Sequence, residues 1–308
     1  RHYPTSMQYS SWDIYHAAIA NSGRKYPAFN MDGSYGGDKD YSNIHALIRD
    51  SGEFKENRNV LEDIVATPKL APGNYRISHF DSPEARGVDV AFLYRPDVFK
   101  LEGQYPVKTV IPSLPDFKTR DILTMWGTIE DEPFFFMVAH WPSRLGGKDV
   151  SEFKRIAVGR QMRSIADSVL QANPATKIVM MGDFNDDPTD KSITEGLGAK
   201  LKMKDLSAGD LYAPYADMLK AGYGTLAYGD AWNIFDNIVI SENLAKGSTG
   251  KLQLQKAPGS KFYGNIFKQR YMVQKEGQYK GYPLRTYVGN NFQGGFSDHF
   301  PVYIYISK

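Results

Sequence analysis

The sequence predicts an α/β fold in which β-sheets pack together and are covered by helices. Runs with strand composition recur along the chain and outnumber the runs with helical spacing. Several of them, such as Ile178–Met181, are apolar throughout rather than alternating, which indicates strands buried on both faces. Because no internal repeat or low-complexity linker interrupts the chain, we expect one domain over residues 1–308.

The predicted strands recur through the chain to its C-terminal end. They are Tyr75–Phe80, Val88–Tyr94, Val107–Ile111, Asp121–Ile129, Phe134–His140, Lys177–Gly182, Phe235–Ser241 and Val302–Ser307. Apolar residues at helical spacing predict a long helix over Ser151–Leu170 and shorter helices over Asn57–Ala66 and Pro214–Lys220. Helices interspersed among many strands favour sheets with helices on their outer faces.

The composition is that of a globular protein without thiols, with 42% hydrophobic and 23% charged residues. The lack of cysteine excludes disulfides, thiolate zinc sites and a cysteine nucleophile. No stretch reaches the roughly 18 uncharged apolar residues that a membrane helix needs, so we expect no membrane span. The sequence begins at Arg1 without an apolar signal segment. A processed export signal or a trimmed chain would explain this start, and we expect an extracytoplasmic location, periplasmic or secreted.

A net charge of +2 conceals an uneven distribution of charge along the chain. The segment from Lys246 to Arg285 has nine Lys and Arg residues against one acid, Glu276, so it carries +8 and the remainder carries −6. Aromatic residues are interleaved with these cations. Such a mixture suits a polyanion, because cations neutralise phosphates and rings stack on bases. A solvated surface with lysine stems lying over aromatic rings would have the same composition, and the sequence leaves both interpretations open.

The segment Lys177–Pro188 runs from an apolar strand into a polar turn. In an extended backbone Asp183 and Asn185 lie on the same face, where a carboxylate and an amide oxygen suit a hard cation or a phosphoryl group. An Asx-rich turn is the alternative interpretation. A calcium-binding loop is excluded, because its sixth position would be Pro188 instead of glycine and its twelfth would be Thr194 instead of glutamate.

Three other polar positions adjoin apolar strands. A glycine-rich turn presents Asp298 and His299 just before the last strand, where the imidazole can act as a base and the carboxylate can hold a metal. A helix cap or a hydrogen-bonded surface pair is the alternative there. Another strand ends in His140, and a histidine at a strand end is, taken alone, more often structural than catalytic. Asp236 opens a buried strand, where a buried acid needs a partner such as histidine.

Together these motifs resemble the endonuclease/exonuclease/phosphatase superfamily, which is deoxyribonuclease-like, and in particular its bacterial branch. Gly-Asp-Phe-Asn at 182–185, Ser-Asp-His at 297–299, His-Trp-Pro-Ser at 140–143 and Asp236 before Ile-Val-Ile come in the order seen in that family. The run Gly87–Pro96 is also similar, and the resemblance covers roughly Tyr75 to the C-terminus. It implies a four-layer α/β sandwich, with two packed mixed β-sheets flanked by helices, and a divalent-metal-dependent phosphoesterase.

The resemblance also implies a role for each motif residue. His299 would be the general base that prepares an attacking water, with Asp236 orienting its ring. Asp183 would position that water or a leaving group, Asn185 would hold a phosphate oxygen, and His140 would donate to the phosphoryl oxygens.

The resemblance further implies a metal ion and a phosphate-bearing substrate. The ion would be Mg²⁺ or Mn²⁺, with Ca²⁺ as a further candidate, and Asp298 would be one of its ligands. Arg95 and Arg144 are candidate substrate contacts.

The N-terminal part departs from the family pattern. Ser10 stands where the first strand of family members carries asparagine, and the position of the metal-binding glutamate falls on Phe54. Glu53 and Glu56 are neighbours that would substitute as metal ligands. A degenerate metal site, a missing segment and errors in the sequence are the explanations left open.

The leading hypothesis is a metal-dependent hydrolase of phosphodiesters acting on nucleic acid. The alternative is a phosphatase or phosphodiesterase of small-molecule, inositol or lipid phosphates, because the net charge is barely positive. A non-catalytic binding module that keeps the fold is a second alternative, motivated by Ser10 and Phe54. We expect no obligate protein partner.

Overall fold

The computed structural model describes residues 28–29, 35–37, 58–84, 87–288 and 291–308. Its strands are β1 (Ala28–Phe29), β2 (Tyr35–Gly37), β3 (Arg76–His79), β4 (Ala91–Tyr94), β5 (Phe99–Val107), β6 (Ile122–Ile129), β7 (Glu132–Val138), β8 (Lys177–Asp183), β9 (Ala199–Lys200), β10 (Leu211–Tyr212), β11 (Leu226–Tyr228), β12 (Ala231–Asn233), β13 (Asp236–Ser241), β14 (Gln253–Gln255), β15 (Gly264–Ile266), β16 (Tyr287–Val288), β17 (Asn291–Phe292) and β18 (Val302–Ser307). Its α-helices are α1 (Arg58–Val65), α2 (Lys148–Ala172), α3 (Ala216–Lys220) and α4 (Glu242–Ala245). Within those ranges, no helix combines the length and the apolar character needed to cross a bilayer.

The largest sheet has seven strands in the order β5-β6-β7-β8-β13-β10-β9. β7 and β8 run parallel and are connected through α2, as a parallel pair requires a crossover. β13 runs antiparallel to β8, with Asp236 opposite Asp183. Every residue of β13 is buried, and so is β8 apart from Asp183, which confirms the prediction of strands buried on both faces. The carboxyl ends of β7 and β8 therefore meet the start of β13 at one edge of the sheet.

Smaller sheets cover one face of this large sheet, and α2 covers the other. The smaller sheets include the pair β3-β4 and the three-stranded sheet β14-β18-β15. One core cluster joins the large sheet to them, through buried residues such as Phe136, Val179, Ile238, Phe92, Leu254 and Val302. A second cluster joins the large sheet to α2, through Met137, Ile178, Met180, Val239, Val158 and Met162.

The helix α1 contacts β3, on the side of the smaller sheets. Helix, large sheet, smaller sheets and helix are the four layers that the family resemblance implies, and the α/β sandwich is thereby confirmed. Among the described residues, the layer of smaller sheets consists of separate strand pairs and one three-stranded sheet.

One strand prediction is wrong in position. A strand was expected over Val107–Ile111, whereas β5 spans Phe99–Val107 and stops where Val107 pairs with Ile122. Ile111 lies in a loop, and its apolar side chain is nevertheless buried. β5 escaped the sequence prediction because it is an edge strand with one bulge near Gly103 and with alternating exposed charges, a pattern that resembles a loop.

Candidate active site

Four of the predicted site residues converge at the sheet edge where β7 and β8 end and β13 begins. His140 follows β7 and Asp183 ends β8, while Asp236 opens β13. The ladder continues past the strand end, because the backbone N–H of Trp141 donates to the carbonyl of Asp183 at 2.9 Å. His299 comes from the other sheet, three residues before β18.

The imidazole of His299 is held by a buried carboxylate. Its Nδ1 lies 2.9 Å from Oδ2 of Asp236, whose side chain is only 5% exposed. The backbone N–H of His299 donates to Oγ of Ser297 at 3.1 Å, which fixes the turn that presents the ring. An Nδ1–H donated to Asp236 leaves Nε2 as the ring nitrogen that can take a proton.

Electrostatics link this pair to the carboxylate of Asp183. Burial by itself would lower the pKa of the His299 imidazole, but the charges of Asp236, Asp183 and Asp298 outweigh burial and hold that pKa well above its usual range. Burial raises the pKa of Asp183, and Asp236 adds to the rise, while His140 and His299 oppose it. The protonation of Asp183 and the protonation of His299 therefore influence each other.

A second imidazole faces the same carboxylate. Nε2 of His140 lies 3.3 Å from Oδ2 of Asp183, and both side chains remain partly accessible to solvent. Asp183 is thus in contact with His140 and within electrostatic reach of His299, and these two histidines come from different sheets. Such an arrangement can hold a water molecule or an oxygen of a substrate and can supply protons to it.

The turn after β8 is built by hydrogen bonds to its own polar side chains. Oδ1 of Asp183 accepts from the backbone N–H of Asn185 at 2.9 Å, and Asn185 has a left-handed φ of +52°, which asparagine tolerates better than most residues. Nδ2 of Asn185 donates to the carbonyl of Trp141 at 2.9 Å. The Asx-rich turn and the functional interpretation therefore describe the same residues, since the turn fixes the amide beside Asp183.

A buried ion-pair network behind this turn was not predicted from the sequence. The side chain of Arg155, on α2, is fully buried, and its Nε lies 2.7 Å from Oδ2 of Asp186. Oγ of Ser192 also donates to that oxygen, at 2.6 Å. The run Asp-Phe-Asn-Asp-Asp at 183–187 indicated a polar cluster that includes Asp186. Nothing in the helical pattern indicated that Arg155 is buried.

The two arginines proposed as substrate contacts have different surroundings. Arg144 donates from Nε to the carbonyl of Asn185 at 2.9 Å and pairs with Asp186 and Asp190, and its guanidinium lies 4.2 Å from the ring centre of Phe235. Arg144 is therefore next to the turn, but oxygens of the chain already accept hydrogen bonds from its Nε and Nη2. Arg95 pairs with Asp97 in its own turn. A direct contact of either arginine with substrate stays a prediction.

The metal ligands are placed in part. Asp298 is exposed beside His299 and influences its electrostatics, so its carboxylate is accessible to an ion. Glu53 and Glu56, the other ligands proposed, lie outside the described residues, as do Ser10 and Phe54. In the described ranges, Asp298 is not part of a group of three ligand atoms close enough for one ion. Of the three ligands proposed for the active-site ion, Asp298 is therefore the one among the described residues.

The basic segment 246–285 contributes to a cavity of about 220 Å³, called the lysine cavity below. Its lining is Lys202, Met203, Lys204, Tyr212, Pro214, Asp217, Lys256, Lys261, Phe262 and Tyr263. Nζ of Lys256 lies 5.1 Å from the ring centre of Tyr263. Another cation of the segment, Lys268, lies 5.0 Å from the rings of Trp232 and Phe300, the second of which adjoins His299.

A model of the Endonuclease/Exonuclease/phosphatase family matches residues 46–308. The match includes the whole of the site described above and the segment that holds Glu53 and Glu56. It does not single out a bacterial branch, so that part of the expectation stays a prediction. No curated protein matches the sequence.

Several solved structures are distantly similar to this chain. TDP2 from D. rerio, complexed with a single-strand DNA product, is 14% identical over 82% of each chain, with a TM-score of 0.49. A mannosyl-6-phosphatase from Bacteroides thetaiotaomicron is 16% identical over 81% of this chain and 82% of its own, with a TM-score of 0.46. The human Nocturnin catalytic domain with bound sulfate is 16% identical over 83% of this chain and 88% of its own, with a TM-score of 0.44. Likeness at this distance carries no conclusion about substrate.

Proposed function

The chain belongs to the endonuclease/exonuclease/phosphatase family, whose members hydrolyse phosphoesters, and from that premise we propose that it cleaves phosphodiester bonds of nucleic acid with a divalent metal ion. The observation that carries the proposal is the 2.9 Å contact between His299 Nδ1 and Asp236 Oδ2, made beside Asp183. A binding module does not need an imidazole oriented by one carboxylate and adjacent to another.

In the proposed reaction His299 takes a proton from the attacking water through Nε2. Asp236 keeps the ring in the required tautomer and stabilises the imidazolium that forms. Asp183 accepts a hydrogen bond from the same water and so aims it at the phosphorus atom. The partial exposure of His299 and Asp183 allows a substrate to reach them.

Charge on the phosphoryl group is neutralised by donors from the turn after β8 and the loop after β7. His140 and Asn185 donate to phosphoryl oxygens as negative charge develops there, and phosphoryl transfer depends mainly on such positioning and neutralisation. A bound Mg²⁺ or Mn²⁺ would supply further neutralisation, with Asp298 as the described residue that would hold it. Glu53 and Glu56 are the additional ligands we propose.

The lysine cavity supports a polymeric substrate. Four lysines and one acid, Asp217, line it, and none of the four lysines pairs with a carboxylate of the described residues. Tyr212, which lines the lysine cavity, pairs with Ile240 of β13. Ile240 is four residues from Asp236, so about 13 Å of strand separates the two. A nucleic acid whose scissile bond lies at His299 is long enough to place another phosphate there.

A second candidate keeps the same chemistry and changes the substrate to small-molecule, inositol or lipid phosphates. Its support is the net charge of only +2, which is unlike a dedicated duplex binder. The catalytic group itself does not decide between these substrates, because monoesters and diesters both present nonbridging phosphoryl oxygens to its donors.

Turnover of single-stranded DNA and RNA oligonucleotides with Mg²⁺, before and after addition of EDTA, tests the proposed activity. We expect His299→Ala to lower kcat by about 10²- to 10⁴-fold, since it removes the base, and EDTA to stop turnover. Gln293→Ala, at an exposed position of the same loop, is the matched control and should keep wild-type rates.

Two results would contradict the proposed hydrolytic activity. One is a folded protein, with a normal thermal transition, that turns over no phosphoester. The other is a kcat that neither EDTA nor His299→Ala changes.

The double variant Lys256→Gln with Lys261→Gln separates a polymeric from a small substrate. We expect weaker oligonucleotide binding and a salt dependence reduced by about 1.4 in slope, because two phosphate contacts are lost. Hydrolysis of bis-p-nitrophenyl phosphate should not change. Lys275→Gln with Lys280→Gln, two exposed lysines of the same segment outside the cavity, is the control. Equal rates for oligonucleotide in wild type and cavity variant would favour the small-phosphate candidate.

A further inference from the structure

Three potential metal ligands meet at the end of the β3-β4 hairpin, outside the catalytic group. His79 ends β3 and pairs with Ala91 of β4. Asp81 lies two residues after His79, and Asp89 lies two residues before Ala91. Alternate residues of extended chain lie on one face, which places the three side chains together. Their ligand atoms all lie within 4.8 Å of one another.

The imidazole of His79 is buried, and one of its two ring nitrogens lacks a hydrogen bond. Its side chain is 6% exposed, and Nε2 has no hydrogen-bond partner. Leaving a buried polar atom in this state costs about 1–3 kcal/mol, so the arrangement favours a ligand that satisfies the nitrogen.

The distance between His79 and Asp89 fits two ligands of one metal ion. Nε2 of His79 and Oδ2 of Asp89 are 3.4 Å apart. This exceeds the usual N–H···O distance of about 2.7–3.2 Å. Zinc bonds of about 2.0–2.2 Å in tetrahedral geometry would place neighbouring nitrogen and oxygen ligands about 3.3 Å apart.

The surroundings orient Asp89 and make the site negative. Oδ1 of Asp89 accepts hydrogen bonds from both the backbone N–H and Oγ of Ser82, the first at 2.9 Å. Such bonds to a ligand carboxylate fix its orientation towards a metal. Asp121 is within electrostatic reach: burial raises the pKa of its carboxyl, and the charge of Asp89 adds to that rise.

We propose that His79, Asp81 and Asp89 bind a transition-metal dication, with Zn²⁺ preferred over Mg²⁺. One imidazole and two carboxylates form a mixed nitrogen and oxygen set that suits zinc, whereas Mg²⁺ prefers oxygen ligands alone. This site is distinct from the metal site of the proposed function. The ligand proposed there is Asp298, which is not one of the three residues grouped here. A bound ion would join the two arms of the loop between β3 and β4.

Calorimetric titration of the full chain with ZnCl₂ and with MgCl₂, after removal of metal by EDTA and dialysis, tests the site. Wild type should bind one more equivalent of Zn²⁺ than Asp81→Asn or His79→Gln, or bind it at least about 100-fold more tightly, since loss of a ligand exceeds loss of an outer hydrogen bond. Co²⁺ in place of Zn²⁺ should give an intense visible spectrum typical of tetrahedral geometry, and the spectrum should be absent from both variants.

Two control variants assign the result to this site. Asp298→Asn should keep the additional Zn²⁺ equivalent, and Asp116→Asn, at an exposed aspartate elsewhere, should behave as wild type. Asp81 is exposed, so Asp81→Asn leaves the core intact even where His79→Gln impairs folding. Identical Zn²⁺ stoichiometry and affinity in wild type and Asp81→Asn would overturn the proposal, and so would Mg²⁺ binding as tightly as Zn²⁺ at these residues.

Discussion

His299 is subject to opposing effects that decide its protonation. Burial favours the neutral ring, while Asp236, Asp183 and Asp298 favour the imidazolium. The 2.9 Å contact with Asp236 also fixes which nitrogen is protonated in the neutral ring. Orientation and basicity of the ring thus have the same origin, a carboxylate contributed by a strand of the opposite sheet.

Asp236→Asn should shift the pH dependence of turnover in a defined direction. Although burial lowers the pKa of His299, Asp236 raises it, so its removal should lower that pKa and move the acid limb of the kcat profile to lower pH. The maximal kcat should fall by about 10²- to 10⁴-fold, because the ring loses its orientation. Measurement of kcat against pH at saturating Mg²⁺ checks both effects.

Asp167→Asn, an exposed aspartate on α2, is the control for that profile. A limb that stays in place or moves to higher pH in Asp236→Asn would contradict the electrostatic assignment.

The turn after β8 could be predicted from the residues that form it, but the contacts that the turn makes with other segments could not. Asp183 and Asn185 stand at alternate positions next to a buried strand, and the sequence alone places them on one face. The left-handed φ of Asn185 and its bond to Trp141 depend on a loop more than forty residues earlier in the chain. Local pattern predicts which residues form a turn, whereas packing decides what they touch.

The helix α2 holds the turn after β8, which carries proposed site residues, in place through one side chain. Arg155 forms an ion pair with Asp186 and donates to the carbonyls of Ser143 and Lys148, so it connects the helix to the loops after β7 and β8. Gly159, one turn further along, allows the close approach of the helix, because a Cβ there would lie 2.6 Å from the carbonyl oxygen of Ser192. The helix is thus a support for the site as well as a cover for the sheet.

Arg155→Met should destabilise the fold and weaken catalysis together. The variant leaves Asp186 as a buried carboxylate with fewer cationic partners, and breaking a buried pair costs about 3–5 kcal/mol. The free energy of unfolding in urea measures this loss, and kcat should also fall because the turn that carries Asn185 is displaced.

Arg160→Met, at an exposed position of the same helix, is the control and should change stability by no more than about 0.5 kcal/mol. A loss in Arg155→Met as small as in this control would show that the pair with Asp186 does not hold the turn.

A buried ion pair connects the large sheet to the smaller ones. Nζ of Lys177, at the start of β8, pairs with Glu132 and donates to the carbonyl of Leu252, while Glu132 accepts from the backbone N–H of Leu252 at 2.9 Å. Leu252 directly precedes β14, so the pair sets the position of the three-stranded sheet on the large one. His299 reaches Asp236 from that sheet, and the site therefore depends on how the layers are aligned.

Lys177→Met tests this dependence across the molecule. Glu132 would be left buried without its cation, which should lower the free energy of unfolding by about 3–5 kcal/mol. Lys100→Met removes the exposed pair with Asp131 on the neighbouring edge and should cost about 1 kcal/mol or less. Urea unfolding measures both. Equal losses in the two variants would mean that the interlayer pair contributes no more than a surface pair.

The sequence by itself predicted which residues carry chemistry, and it determined which strands are buried. The order of Gly-Asp-Phe-Asn, Asp236 and Ser-Asp-His identifies the family, and apolar runs identify strands covered on both faces, because both signals are local. The tertiary structure alone decided the contacts between distant segments: His299 on Asp236, Arg155 on Asp186, and His79 on Asp89. Such contacts join residues that lie between ten and more than sixty positions apart. The packing of layers sets them, and no periodicity along the chain records how layers pack.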